Sequence, residues 1–590
     1  MKKRWISILL LASMLCALAA CGGKQERQEP AETPEANYPV AFCLGACPES
    51  LDPGRYALGD DASYLVNLYA GLVTYRPDEQ GAMHVTADLC RALPEPEAGQ
   101  DGKPVYTFAL RSDLKWSDGS ALTAQDFVYS WNRAAFDPQT PERELFACID
   151  GFADGTLNVT ASEDGKQLTV VLEKATPRFL ERLTNPVFFP VQAAACAKPA
   201  WDLTPFLSVT SGAYRLTAFS DAGMTLEKNP DYWDAEHTVL SRLQFDFSDD
   251  PDSILDGYRA GVYRVASSLP AGSVSELSET EGDALHVVGR MGNYSLCFRV
   301  NDPALAEFTE PEREEIRRAL CLLIDRNAIC ESIAKLGQRP AASIVPSGMT
   351  DADGMDFTMR NGMDGAGGGF FSVRPEDEAK NCAAAVELLR SVAESSGKFK
   401  VSKDGVCSGF PELTYLTSNS KGHVEIANEL TSRFGEYGIP LKTTILELPE
   451  FLDARAAGAY SMARFSWTAA YDDPGAFLTL WASGAGSNCV GFGQDAHGTY
   501  AGYTVTLGSS QMTGCTWAES FDALLYTVQS AADESVRSRS MHAAETLLMQ
   551  TGALCPIYEY TSVYLCRSSF QGLFTGPSGA LYFMLANTEI

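Results

Sequence analysis

Tyr106-Thr107-Phe108-Ala109-Leu110-Arg111, Lys115-Trp116-Ser117-Asp118-Gly119 and Leu122-Thr123-Ala124-Gln125-Asp126-Phe127-Val128-Tyr129-Ser130-Trp131 are the residues on which the fold turns. From Val105 to Leu110 the chain alternates, placing Tyr106, Phe108 and Leu110 on one face of a half-buried strand. Asp118-Gly119 supplies a turn beside Trp116. Thr123 and Asp126 then stand at capping-box spacing, so a helix is predicted through about Ala135 with Phe127, Val128 and Trp131 on its apolar stripe. Strand, turn and helix in such close order mark a mixed α/β unit.

Outward from this stretch the same alternation continues. Lys166 to Glu173 repeats the strand pattern through Leu168, Val170 and Leu172. A helix is predicted near Pro311, whose missing N–H suits a first turn, and it buries Ile316, Leu320, Leu323 and Ile324. Further helices fit Glu376 to Glu394, His423 to Tyr437, Glu450 to Ala457 and Ser535 to Met549, with short strands at Glu412 to Thr417 and Lys442 to Glu447. Helices interleaved with strands imply α/β lobes rather than a sandwich or a bundle. With 590 residues, 45% of them hydrophobic, the chain is long enough for more than one core. Its net charge of −30 repels phosphate backbones and anionic headgroups, which argues against nucleic-acid or electrostatic membrane binding.

The amino end carries an address. Lys2, Lys3 and Arg4 precede an uncharged apolar run from Trp5 to Ala20, the n-region and h-region of a secretory signal peptide spanning residues 1–20. The run ends at Leu18-Ala19-Ala20-Cys21, which matches a bacterial lipobox and makes Cys21 the expected site of lipid attachment. Gly22 to Pro39 is polar and charged, too poor in apolar residues to bury a core, and reads as a flexible tether of roughly 25 Å. The expected location is the extracytoplasmic face of a bacterial cell membrane, held by the lipid anchor.

Sixteen cysteines remain to be placed. Cys16 leaves with the signal and Cys21 carries lipid, so fourteen are available either for disulfides outside the cytosol or as small buried hydrophobes. Cys489 and Cys515, flanking a Gly-, Ser- and Thr-rich stretch, are the first pair to expect bridged. No Cys-x-x-Cys occurs and the six histidines are scattered, so neither a structural zinc site nor a cofactor is expected. Catalytic signatures are also missing: there is no His-Glu-x-x-His, Gly-x-Ser-x-Gly or phosphate loop. Gly405-Val406-Cys407-Ser408-Gly409 mimics a nucleophile elbow but reads as a hairpin or loop, and Gly362 to Gly369 as a surface loop. A non-enzymatic protein is expected.

The order of the blocks resembles extracellular solute-binding protein family 5, the oligopeptide- and dipeptide-binding lipoproteins of ABC importers. Leu51-Asp52-Pro53 and Leu68-Tyr69-Ala70-Gly71-Leu72 match its opening, and the stretch quoted first matches its most recognisable block. Ser211-Gly212-Ala213-Tyr214-Arg215-Leu216 leads into Leu226-Glu227-Lys228-Asn229-Pro230-Asp231-Tyr232-Trp233-Asp234. Ile316-Arg317-Arg318-Ala319-Leu320, Ile324-Asp325-Arg326 and Pro556-Ile557-Tyr558-Glu559-Tyr560 complete the series.

What the resemblance implies is a two-lobed, type II periplasmic-binding-protein-like α/β fold of the large peptide-binding class, with a hinge and an extra subdomain in the larger lobe. Lobe I would comprise residues 38–290 plus 555–590, its subdomain about 76–199, and lobe II residues 291–554. Such a monomeric receptor closes on an extended peptide and delivers it to a membrane permease driven by an ATPase. The cleft segment is Arg464-Phe465-Ser466-Trp467-Thr468-Ala469-Ala470-Tyr471-Asp472-Asp473-Pro474. In similar oligopeptide binders the arginine faces the ligand, the tryptophan packs at the cleft, and an aspartate before the tyrosine receives the peptide ammonium. Here that last position is Ala470, while Asp472 and Asp473 follow Tyr471. Leu58 and Gly59, within the stretch Ala57 to Asp60, occupy another ligand-lining position. The expected ligand contacts are therefore Arg464, Trp467, Ala470, Tyr471, Asp472, Leu58 and Gly59. Alternatives are a family receptor for a non-peptide solute such as a metal chelate, glycoside or haem, or a sensing or adhesion lipoprotein without transport.

Overall fold

A single twisted sheet passes through both hydrophobic cores of the protein. The computed structural model describes residues 41–58, 62–99, 101–363, 365–493, 503–507 and 510–588. The predicted signal peptide, Cys21, the tether and Gly59 lie outside them.

Among the described residues this sheet has eleven strands. They are β1 (Ala41–Cys43), β2 (Tyr214–Ser220), β3 (Gly223–Lys228), β4 (Arg242–Asp246), β5 (Tyr263–Ser267), β6 (Leu285–Phe298), β7 (Arg339–Pro340), β8 (Leu413–Ser418), β9 (Leu441–Leu446), β10 (Met462–Thr468) and β11 (Leu554–Cys566). Their order is β9-β8-β10-β6-β11-β5-β1-β4-β3-β2, with β7 added to β11. β8 runs parallel to β9 and β10, and β1 parallel to β4 and β5; the central ladder β10-β6-β11-β5 is antiparallel.

β6 and β11 are the long members. Fourteen residues at about 3.3 Å each give β6 a length of about 45 Å, enough to cross from one core to the other. One core is built from residues between Met291 and Tyr558, including α1 (Glu310–Leu323), α2 (Glu378–Ser396) and α3 (Lys421–Glu436). The other is built from residues between Phe42 and Val265 together with Tyr564 to Ala586. A third, small cluster under β5 joins Cys43, Tyr258 and Leu565. The fold is a two-lobed mixed α/β architecture.

The opening stretch behaves as its periodicity requires. The strand is Pro104–Ala109, paired with Gln167–Val171, and Phe108, Leu168 and Val170 are fully buried. The helix is Ala124–Phe136, with Thr123 and Asp126 forming the capping box and Phe127 and Trp131 in the core. α1 begins at Glu310, just before the Pro311 that marks it in the sequence, because Thr309 and Glu312 form a capping box that the proline alone does not reveal. The Gly212 block is explained by a close approach: Gly212 donates to the Leu68 carbonyl at 2.8 Å, and a Cβ there would lie 2.7 Å from the Leu68 carbonyl carbon. Asn229 ties the second half of that block to it through the Gly212 carbonyl. Tyr232 and Trp233 both donate to the buried Asp88 carboxylate, which burial raises to about 6. These signature residues hold together the core built around Phe42 to Val265 and serve its architecture.

All fourteen described cysteines are free thiols. The expected bridge between Cys489 and Cys515 is absent; the sulfur that Cys489 touches belongs to Cys297, at 3.3 Å. Cys407, the centre of the mock elbow, sits buried in a small hairpin of Lys400–Val401 and Cys407–Ser408, and burial pushes its thiol up to about 11. No helix among the described residues is long and apolar enough to cross a membrane.

Candidate ligand cleft

β10 is placed by its two neighbours. Leu296 of β6 pairs with Arg464, Tyr294 with Ser466 and Asn293 with Trp467, while β6 in turn pairs Tyr294 with Tyr558 of β11. Alternation along a strand therefore sends Arg464, Ser466, Tyr294 and Tyr558 to one face. Tyr294 stacks on Tyr558 with centroids 5.0 Å apart, and its hydroxyl is 3.3 Å from that of Tyr415.

Arg464 lies within this aromatic wall, 6% exposed. Its Nε donates to Ser418 Oγ at 3.0 Å, and its guanidinium carbon stands 4.5 Å from the Phe451 ring centroid. Ser418 Oγ and Ser420 Oγ both reach His423 Nδ1, at 2.8 and 2.6 Å. Burial, with the Arg464 charge adding to it, lowers His423 to about 4, so the imidazole is neutral at neutral pH. Burial also pushes Arg464 below the ordinary arginine range, and Arg455 works in the same direction. Among the described residues no carboxylate forms an ion pair with Arg464. A guanidinium held this way has hydroxyl partners but no counter-ion, an arrangement that costs stability and that an anion arriving from outside would relieve.

Trp467 is half-buried against the core built from residues between Met291 and Tyr558, and among the described residues its indole N–H has no partner. Ala470 faces a cavity of about 20 Å³, the room of about one water. Tyr56, Tyr75, Asn185, Met291, Tyr471 and Tyr582 are among its lining residues, and no lining residue carries a charge. Tyr471 turns the other way, accepting from Arg182 Nη2 at 2.6 Å, and burial pushes its hydroxyl up to about 12. Asp472 is buried and accepts from both the backbone N–H of Thr350, at 2.8 Å, and its hydroxyl. Asp473 pairs with Arg537 Nη2 at 2.6 Å and caps Gly475. Leu58 is half-buried, its N–H donating to Glu142 Oε1 at 3.0 Å.

Arg464, Trp467, Ala470 and Tyr471 thus line one run of chain, while Asp472 is spent on holding the loop at Thr350. Sequence reasoning missed Arg178 and Arg182, which lie around the short helix Phe179–Arg182. Arg178 Nη2 donates to the carbonyl oxygens of Thr350, at 3.3 Å, and Asp351, at 3.5 Å, and Arg182 reaches Tyr471, so both join the core that holds Phe179 to elements of the core that holds Met349 and Phe477. No motif surrounds them, and only the fold brings them to the seam.

Residues 93–489 match the profile of the bacterial extracellular solute-binding proteins, family 5 middle region. The chain belongs to this family. It is 27% identical to the dipeptide-binding protein DppE of Bacillus subtilis over 493 residues, 80% of this chain and 79% of that one. With the probable deoxycholate-binding periplasmic protein YgiS of Escherichia coli it shares 28% over 563 residues, 92% of each. The oligopeptide-binding protein OppA of Bacillus subtilis is 25% identical over 602 residues, covering 99% of both. In structure the fold superimposes on the murein tripeptide binding protein MppA in its unliganded open form with a TM-score of 0.70, at 24% identity, covering 93% of this chain and 97% of that one. On Listeria monocytogenes OppA bound to peptide the TM-score is 0.61 at 20% identity, covering 93% and 98%. The family member described here therefore has the two-lobed periplasmic-binding fold.

Proposed function

We propose that the protein is the peptide-capturing component of an ABC importer, lipidated on Cys21, tethered to the extracytoplasmic face of the membrane, and handing its ligand to a permease driven by an ATPase. Lobe I is residues 38–290 with 555–590, and lobe II residues 291–554; two separate cores favour a division of this kind, with the lobe II core running on along the shared strand β11 to Tyr558. The observation that carries the reading is Arg464, a buried cation in the cleft for which the described residues supply no anion. A peptide's terminal carboxylate is the group that would complete it, with the tyrosines of the wall as apolar contacts. DppE and OppA among the relatives favour a peptide.

A second reading has its own observation. The pocket at Ala470 offers no carboxylate to an ammonium group, which suits a monoanionic solute without one, and deoxycholate, named for one relative as its probable ligand, is a solute of that kind.

Native mass spectrometry of the purified full chain separates the two, since a co-purified ligand reveals its mass class. Peptide masses, followed by calorimetric titration with a synthetic copy, are the expected result. A non-peptide anion that titrates, with no heat from any peptide, overturns the first reading in favour of the second.

A further inference from the structure

The contact between Cys297 and Cys489 is between residues far apart in the chain. Cys297 lies on β6, and its Sγ also approaches the Ala463 carbonyl of β10 at 3.3 Å. Cys489 belongs to the segment after Trp481, which docks on the end of β6: Val300 donates to the Val490 carbonyl at 3.0 Å, and Tyr460 and Arg299 donate to the Cys489 carbonyl at 2.7 and 3.2 Å. Those bonds hold the backbone in place, so the two sulfurs face each other at 3.3 Å without needing either segment to move. Small side-chain rotations would bring them to the ~2.05 Å of a disulfide.

A second thiol pair lies close by. Cys321 of α1 and Cys555 of β11 face each other in the core, with Arg326 Nη2 3.2 Å from the Cys555 sulfur. Leu296, not Cys297, is the β6 residue opposite Cys555, so the two pairs lie on opposite faces of the same sheet. The remaining described cysteines show no thiol contact of this kind, which makes these two sites the places where an extracellular protein would be stapled.

We propose that Cys297 and Cys489 form a disulfide in the extracellular protein, fixing the segment after Trp481 to β6, the strand hydrogen-bonded to the one that carries Arg464 and Trp467. The oxidant is a disulfide, RSSR, of the kind supplied by a thiol–disulfide exchange catalyst or an oxidised low-molecular-weight thiol. Cys489, 9% exposed where Cys297 is fully buried, is the entry point. Its thiolate attacks one sulfur of RSSR, forming a mixed disulfide and expelling RS⁻. The Cys297 thiolate then attacks Cys489 Sγ, the mixed disulfide breaks, and a second RS⁻ leaves. The two thiol protons end on the two released thiols, and RSSR is reduced by the two electrons the cysteines lose. The electrostatics fit this order: contact with Cys297 and the Arg455 charge hold Cys489 down against the effect of burial, while burial pushes Cys297 well up.

The test uses the full chain, incubated with oxidised glutathione, alkylated under denaturing conditions without reduction, and digested. A linked peptide containing Cys297 and Cys489 is expected, with both residues alkylated only after reductant is added. In addition, reductant should lower the melting temperature of the oxidised protein, and the Cys297→Ala, Cys489→Ala double variant should lose that response. Full alkylation of both thiols after oxidation, or a link from Cys489 to Cys515 instead, overturns the proposal. If the double variant fails to fold, the peptide map of the unmodified sequence still decides the matter. A map that shows the link while the melting temperature ignores reductant would sustain the bond and remove its role as a staple.

Discussion

Arg537 and Arg464 are both buried arginines, and the chain treats them in opposite ways. Arg537, its side chain 2% exposed, has Asp473 at 2.6 Å and the Val528 carbonyl at 2.8 Å. Arg464 has hydroxyls, a phenyl face and a neutral imidazole, and among the described residues no carboxylate. A charge neutralised by the fold is structural. One that the fold buries but leaves uncompensated is held ready for something that is not part of the chain. Glu545 illustrates a third solution, in which burial raises a carboxyl to about 8 and the group is carried as the neutral acid, accepting from the Val345 N–H at 3.1 Å.

The contrast breaks most visibly at the neutralised arginine. Asp473→Ala strands Arg537 in the core and should cost about 3 to 5 kcal/mol of folding stability; urea denaturation reads it, and a loss below about 1 kcal/mol would mean that water reaches the site. Arg464→Gln should do the reverse. Folding stability should rise, because a buried charge without a counter-ion is removed, while affinity for an anionic ligand falls by about 2 to 3 kcal/mol, the worth of a charge-assisted hydrogen bond. Calorimetry on the wild type and variant checks it, and unchanged affinity would move the anion site elsewhere in the cleft.

Glu545 sharpens the comparison through pH. Its folded-state value lies above the unfolded carboxyl, so the folded form binds the extra proton between about pH 4.5 and 8. The associated stability is complete below the unfolded value and is lost as pH rises through the folded one, at up to about 1.4 kcal/mol per pH unit. Glu545→Gln should flatten that slope relative to wild type when denaturation is repeated from about pH 5 to about pH 9; parallel curves would show that Glu545 is ionised in the folded protein.

The smallest effect is expected at Ala470. With Asp472 spent on Thr350 and Asp473 on Arg537, no carboxylate of this segment is left to receive a ligand ammonium there. N-acetylated and free peptides of one sequence should bind within about tenfold, or about 1.4 kcal/mol, of each other, and Ala470→Asp should favour the free amine. A hundredfold preference for the free amine in the wild type, lost in Asp472→Ala, would show that Asp472 lets go of Thr350 to take that role.

Local periodicity made a good part of this molecule legible. The strand at Tyr106 and Phe108, the Thr123 capping box and the helices at Glu378 and Lys421 all rest on contacts between residues a few positions apart. The two central strands were not legible in the same way. β6 is interrupted by Gly289, Arg290 and Gly292, and β11 by Pro556, which read as breaks in a pattern. In the sheet those positions fall at shifts of register between β6 and β11, where an irregular residue is tolerated because the ladder is already disrupted.

The α/β class, the order of the family's blocks and the candidate segment from Arg464 to Pro474 follow from residue types read in order. Which charges and sulfurs find partners follows from packing between distant segments. Asp473 reaches Arg537 over 64 residues, Asp472 reaches Thr350 over 122, and Cys489 reaches Cys297 over 192. Spacing in the chain carries no information about such pairs, because side-chain periodicity sets which face a residue takes and not what the opposite wall will bring to it. Arg464 is the clearest case: its neighbours in sequence say that it lies on a strand, and the walls folded around it settle that its charge has no counter-ion among the described residues.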